Sequence, residues 1–166
     1  MLLIAIGANL PGAGGVSPRV TCDEAVAALR EIPGIDFVAV SPWYRTLPVP
    51  RDDLQPDFCN GLARFEGCPD PAALLAALHG IEARLGRVRS VANAARTLDL
   101  DLIDCNGMVR PDPPPVLPHP RAHLRQFVLR PLIDVAPDWV HPVLDLPAVA
   151  LLGALPDLTA GSLTPW

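Results

Sequence analysis

The sequence predicts an α/β (α+β) domain with the ferredoxin-like order βαββαβ: one antiparallel sheet with helices on one face, plus a C-terminal extension. Three observations carry this expectation. Residues 2–6 form a short apolar run of buried-strand type, residues 97–103 alternate with a period of two, and two helical stripes lie between them. The chain has 166 residues, half of them hydrophobic and 19% charged, with a mean hydropathy of +0.30. That composition folds rather than staying disordered, and the length suits a single domain over 1–166.

Each element follows from local chemistry. After the strand at 2–6, the stretch from Gly7 to Gly15 reads as a flexible loop. Thr21 and Glu24 have capping-box spacing and open a helix that lines up Ala25, Val26, Leu29 and Ile32, stopped by Pro33-Gly34. Residues 35–45 are β-branched and aromatic but interrupted at Pro42, which marks a bulge or a sheet edge. A loop runs through 47–53, and 57–66 resume as a strand. Asp70 caps a second helix with Pro71 at its first position; Leu74, Leu78, Ile81 and Leu85 form its stripe and Gly86 ends it. A basic loop precedes the alternating strand 97–103. Six prolines then fall within residues 111–120, and a last helix spans Phe127 to Val135.

All thirteen basic residues are arginine. The lack of lysine excludes a Walker-type phosphate loop and Schiff-base chemistry. A net charge of −5 argues against a general nucleic-acid or anionic-membrane binder. Charge is unevenly spread: residues 84–130 hold eight arginines against four aspartates, and the rest of the chain holds five arginines against fourteen acids. One basic locus on an acidic protein points to a small polyanionic ligand. The four cysteines form no C-x-x-C pair, and the first residues lack the features of a signal peptide or membrane span. The expectation is a cytoplasmic protein with reduced thiols.

Asp99 and Asp101 are the sharpest local signal. Two apart on a strand, they share a face with roughly 6.6 Å between their backbones. Two bare carboxylates so placed repel, and a pair of Mg²⁺ ions would turn that repulsion into ligation; the alternative is the solvent-facing side of an amphipathic strand. Arg87, Arg89 and Arg96 lie upstream, Arg121 and Arg125 downstream. Arginine forks bind phosphate oxygens through paired hydrogen bonds, so these clusters suit phosphoryl or nucleotidyl transfer. As ordinary surface residues they would be solvated instead. His119 and His123 are four apart, but Pro118 and Pro120 argue against a metal-binding helix and favour His119 as a phosphate donor. Phe58 and Asn60 share a strand face; with Phe127 they suit a flat heterocycle, or simply a core. The proline run reads as a stiff loop bearing His119 and Arg121, or as a polyproline ligand for a partner.

In order, Ile4–Leu10, Ser41–Thr46, Gln55–Asn60, Ile81–Arg89, Arg96–Ile103, Leu117–Arg121 and Arg125–Leu129 resemble the 6-hydroxymethyl-7,8-dihydropterin pyrophosphokinase family of folate biosynthesis, over about residues 3–142. The resemblance implies transfer of the β,γ-pyrophosphoryl group of ATP to the pterin hydroxymethyl oxygen, releasing AMP. It implies two Mg²⁺ ions on Asp99 and Asp101, and Arg87 and Arg96 stabilising the transferred group. Arg89, His119 and Arg125 would contact nucleotide phosphates, with Glu82 and Arg121 as further ATP-side candidates. Thr46, Val49 and Asn60 would hold the pterin between Phe58 and Phe127. The chain departs from the family pattern at Ala92-Asn93-Ala94-Ala95, where a basic residue, tryptophan, glycine and proline are common. Phe58 stands where tyrosine is frequent and Leu47 where proline is common. The rival readings are another two-metal transfer enzyme on this fold and a noncatalytic partner-binding domain. A monomer is expected, with no obligate protein partner.

Overall fold

A computed structural model describes residues 1–48, 54–87, 95–155 and 163–166. Val49 and Arg89 lie outside the described residues, as do Ala92, Asn93 and Ala94.

The first strand, β1 (Leu2–Ala8), sits inside an antiparallel sheet between β5 (Asp99–Cys105) and β4 (Phe58–Gly67). The far side of β4 is shared by β2 (Ile35–Val40) and β3 (Tyr44–Thr46), and a two-residue β6 (Thr164–Pro165) adds to the outer edge of β3. Residues 35–45, expected as one interrupted strand, are two strands broken at Ser41–Trp43. The break is held by Ser41, whose amide donates to the Leu62 carbonyl and whose hydroxyl accepts from the Leu62 amide. A bulge at Val38 re-phases β2 against β4.

One sheet face carries α1 (Pro18–Arg30) and α2 (Pro71–Arg84), as the βαββαβ pattern requires. Ile4, Ile6, Leu29, Phe65, Leu78 and Leu100 form the centre of that core, and burying each such side chain stabilises by roughly 1.5–3 kcal/mol. The helix α1 begins earlier than expected. Ser17 is its N-cap, accepting from the Val20 amide, with Pro18 in the first turn. Thr21 lies inside the helix and turns its hydroxyl back to the Ser17 carbonyl; Ser-Pro therefore outweighs the Thr21/Glu24 box. Asp70 caps α2 as expected, accepting from the Ala73 amide at 2.8 Å.

The C-terminal extension covers part of the opposite face. There α3 (Gln126–Val135) and α4 (Ala148–Gly153) bury Leu3, Leu62 and Ile103 against Leu129, Leu132 and Trp139. A bulge at Ile103 shifts the β1–β5 register between Leu3 and Ile4. It brings Asp104 onto this second face, where its carboxylate accepts from Trp139 Nε1 at 3.0 Å and the Gly107 amide at 2.7 Å. Beyond the helices, the same face carries Asp99, Asp101, Asn60 and Thr46.

Candidate active site

Sheet register assembles the site. Gly7 of β1 pairs with Asp99 of β5 on one side and Asn60 of β4 on the other, and Asn60 pairs with Tyr44 of β3. Residues paired across strands point to the same face, so these four form one line across the sheet. Gly7 adds no side chain to the middle of the line, which leaves room there for Asn60. A β-carbon there would stand 2.6 Å from the Asn60 carboxamide oxygen. With neighbouring strands about 4.8 Å apart, Asp99 and Asn60 sit on strands about 10 Å apart, and the Asn60 carboxamide reaches over Gly7 between them.

On the β5 side, Asp99 accepts from Arg87 and Arg96, each at 2.6 Å. Glu82, on α2 and only 2% exposed, bonds to Arg87 and also accepts from the Leu100 amide at 2.8 Å. Burial pushes the Glu82 carboxyl up, with the Leu100 amide and Arg87 acting against it. Burial works against the charge of Arg87 too, yet Asp99 and Glu82 hold its pKa above the usual value.

Asp101 is approached by Arg125 Nη1 at 3.6 Å and His119 Nε2 at 3.8 Å, both longer than a hydrogen bond. Burial first, and then the charge of Asp99, raises its pKa. Burial likewise lowers His119, with Arg125 and Arg121 adding to the effect while Asp101 opposes it. Arg125 is also lowered, by burial and then by Arg121. Asp101, His119 and Arg125 are thus crowded at distances longer than a hydrogen bond. That environment, with hard oxygen donors two apart on one strand face, fits Mg²⁺ carried with a polyphosphate.

The proline-rich segment delivers His119. Arg110 and Leu117 pair as an isolated bridge, Leu117 is buried, and the His119 amide donates to the Ile103 carbonyl at 2.9 Å. The Arg125 guanidinium lies 5.5 Å from the Phe127 ring centre, which links the carboxylate side to α3. Toward β3, Asn60 Nδ2 donates to Thr46 Oγ1 at 2.6 Å. Thr46 pairs with Phe58, so Phe58 shares this face as expected. Arg121 precedes the short turn 122–124, and its amide donates to His119 Nδ1 at 3.2 Å.

Three contributors were not singled out from the sequence as site residues. One is Gly7, and Tyr44 is another. The third is Asn9, 1% exposed, whose carboxamide accepts from the Arg96 amide and donates to the Pro56 carbonyl. Asn9 and Leu10 amides also converge on the Arg96 carbonyl. Asn9 therefore ties the base of the arginine loop to the segment leading into β4. An Asn directly after a strand was the available signal, and its partners are far away in sequence.

A carboxylate pair set among arginines, on the same sheet face as Asn60 and Thr46, is the kind of arrangement found in phosphate-handling enzymes on a ferredoxin-like sheet. A family profile described as 7,8-dihydro-6-hydroxymethylpterin-pyrophosphokinase (HPPK) matches residues 3–137. The 2-amino-4-hydroxy-6-hydroxymethyldihydropteridine pyrophosphokinase of Pseudomonas aeruginosa is 39% identical over 139 residues, 84% of this chain and 82% of that protein. The protein of the same name from Synechocystis is 36% identical over 137 residues, 82% of this chain and 69% of that protein. The folic acid synthesis protein fol1 of Schizosaccharomyces pombe is 37% identical over 132 residues, 80% of this chain; the match spans only 18% of that longer protein. The chain belongs to the HPPK family.

Proposed function

We propose that this chain transfers the β,γ-pyrophosphoryl group of ATP to the hydroxymethyl oxygen of 6-hydroxymethyl-7,8-dihydropterin, a step of folate biosynthesis. The line Asp99–Gly7–Asn60 supports the reading, because it sets the carboxylates and arginines expected for a polyphosphate and the carboxamide expected for a ring on one sheet face. In the reaction, the hydroxymethyl oxygen bonds to the β-phosphorus and the bond from that phosphorus to the α,β-bridging oxygen breaks. AMP leaves, and the hydroxyl proton passes to solvent.

In this reading Asp99 and Asp101 hold Mg²⁺, two ions with ATP, which when bound neutralises phosphate charge and lowers the hydroxyl pKa. Arg87 and Arg96 meet charge on the transferred group. His119 and Arg125 bind the nucleotide phosphates, with Arg89 and Arg121 as further contacts. Glu82 enters through Arg87 and the Leu100 amide, as a brace. Asn60 and Thr46 fix the pterin edge, Val49 joins them, and Phe58 and Phe127 supply its walls. No described side chain is assigned as a dedicated general base, so positioning and electrostatics carry the rate. No helix among the described residues is long and apolar enough to cross a membrane; a monomer in the cytoplasm completes the proposal.

The test is to incubate the protein with ATP, Mg²⁺ and the pterin and to separate the nucleotides. Pterin-dependent AMP without ADP supports the reading. ADP, or unchanged ATP from folded protein, overturns it.

A further inference from the structure

Tyr44 is the residue of β3 that touches α3 through its polar end. Its hydroxyl donates to Asp134 Oδ2 at 2.5 Å and accepts from Arg130 Nε at 3.4 Å, while Arg130 Nη2 bonds Asp134 Oδ1 at 2.9 Å. Tyr44 is 8% exposed. Burial raises the phenol pKa, and the bond to Asp134 adds to this, so the hydroxyl keeps its proton and donates.

Periodicity makes this contact more than a local tie. Phe127, Arg130 and Asp134 are spaced i, i+3, i+7 and share one side of α3. Tyr44 and Thr46 are two apart and share one face of β3. The strand has only three residues, so backbone pairing alone holds it weakly. From the Tyr44–Asp134 contact, the strand leads to Thr46 at its end and the helix leads back to Phe127 in its first turn. Those two residues are assigned to the edge and to one wall of the pterin site.

We propose that the Tyr44–Asp134 hydrogen bond sets the gap between Thr46 and Phe127, making Tyr44 and Asp134 positioning residues for the pterin. This rests on the pterin pocket proposed above. Neither Tyr44 nor Asp134 is bonded to Asp99 or Asp101, whose partners are Arg87, Arg96, His119 and Arg125, so the effect falls first on the pterin. A charge-assisted bond of this kind is worth about tenfold in affinity where its geometry feeds the pocket.

The experiment measures pterin binding by fluorescence titration in the presence of a non-hydrolysable ATP analogue, and separately the affinity for the analogue. Tyr44→Phe and Asp134→Asn each raise the pterin Kd about tenfold and change analogue affinity less than twofold. The double variant is no worse than the poorer single one, as expected when both act through one bond. An unchanged pterin Kd in folded variants overturns the inference. So does a parallel loss of both affinities, which would mean general loosening. Asn60→Ala is the control on the pocket itself: if it leaves pterin binding intact, the pocket reading fails and this inference with it. If Asn60→Ala abolishes binding while Tyr44→Phe does nothing, only the positioning role falls.

Discussion

The place a β-carbon would occupy on Gly7 is held by Asn60, whose carboxamide oxygen lies 2.6 Å from it. Asn60 in turn is fixed by its bond to Thr46, so it has little room to yield. Gly7→Ala is therefore expected to push the carboxamide away and raise the pterin KM about tenfold or more. The ATP KM should stay within twofold. Equal losses for both substrates would show that Gly7 serves the whole site.

Asp101 is a carboxylate that the fold holds at a cost, since burial and Asp99 both disfavour its charge. Asp101→Asn is expected to reduce kcat about 100-fold or more, while the melting temperature at pH 7 stays level or rises. Asp99→Asn should match the loss in kcat but release Arg87 and Arg96, which both bond to it. Paired turnover and thermal-melt measurements separate the two outcomes. Near-native turnover in either folded variant would remove that residue from the metal site.

Glu82 is the counter-charge beneath Arg87. Glu82→Gln keeps an oxygen for the Leu100 amide but leaves Arg87 leaning on Asp99 alone among these acids. The expected result is a kcat lower by about tenfold with a smaller change in ATP KM. A change confined to ATP KM would instead make Glu82 a nucleotide contact.

His141, which is not among the proposed site residues, is expected to give the fold a pH dependence. Its Nδ1 accepts from the Val143 and Leu144 amides, each at 3.2 Å, and its ring meets those of Trp139 and His123 edge-on. Burial, and then His123, lowers its pKa below the usual 6.5, with Asp104 opposing. Because the folded pKa is the lower one, the stabilisation is complete above about pH 6.5 and is lost as pH falls through the folded value. His141→Asn retains an acceptor without titrating. Its melting temperature should fall less than that of the wild type between pH 7.5 and 5.5. Parallel curves would assign the acid sensitivity elsewhere.

Much of this was legible in the primary structure, and for identifiable reasons. The Leu98–Leu100–Leu102 alternation faces the α1/α2 core, so Asp99 and Asp101 had to share the other face. Asp70-Pro71 marked α2 because both capping groups are adjacent in the chain. What escaped was set by distant partners. Tyr44 meets Asp134 ninety residues away, and Asn9 meets Arg96 and Pro56. The two-residue β6 exists because β3 offers it an edge, with the Trp166 amide bonding to the Trp43 carbonyl and the ring near Arg45. Local periodicity carries no trace of such contacts.

The bulge at Ile103 carries one more implication. Upstream of it, β5 presents Asp99 and Asp101 to the open end of the second face; downstream, the same face receives Asp104 beside Trp139. A one-residue slip of β5 against β1 would invert every side chain upstream, sending both aspartates into hydrocarbon and leucines into water. Such a misthreaded molecule would lose catalytic ability and stability in a single error. Recovered turnover after refolding is thus a direct count of molecules whose central strands have found their proper alignment.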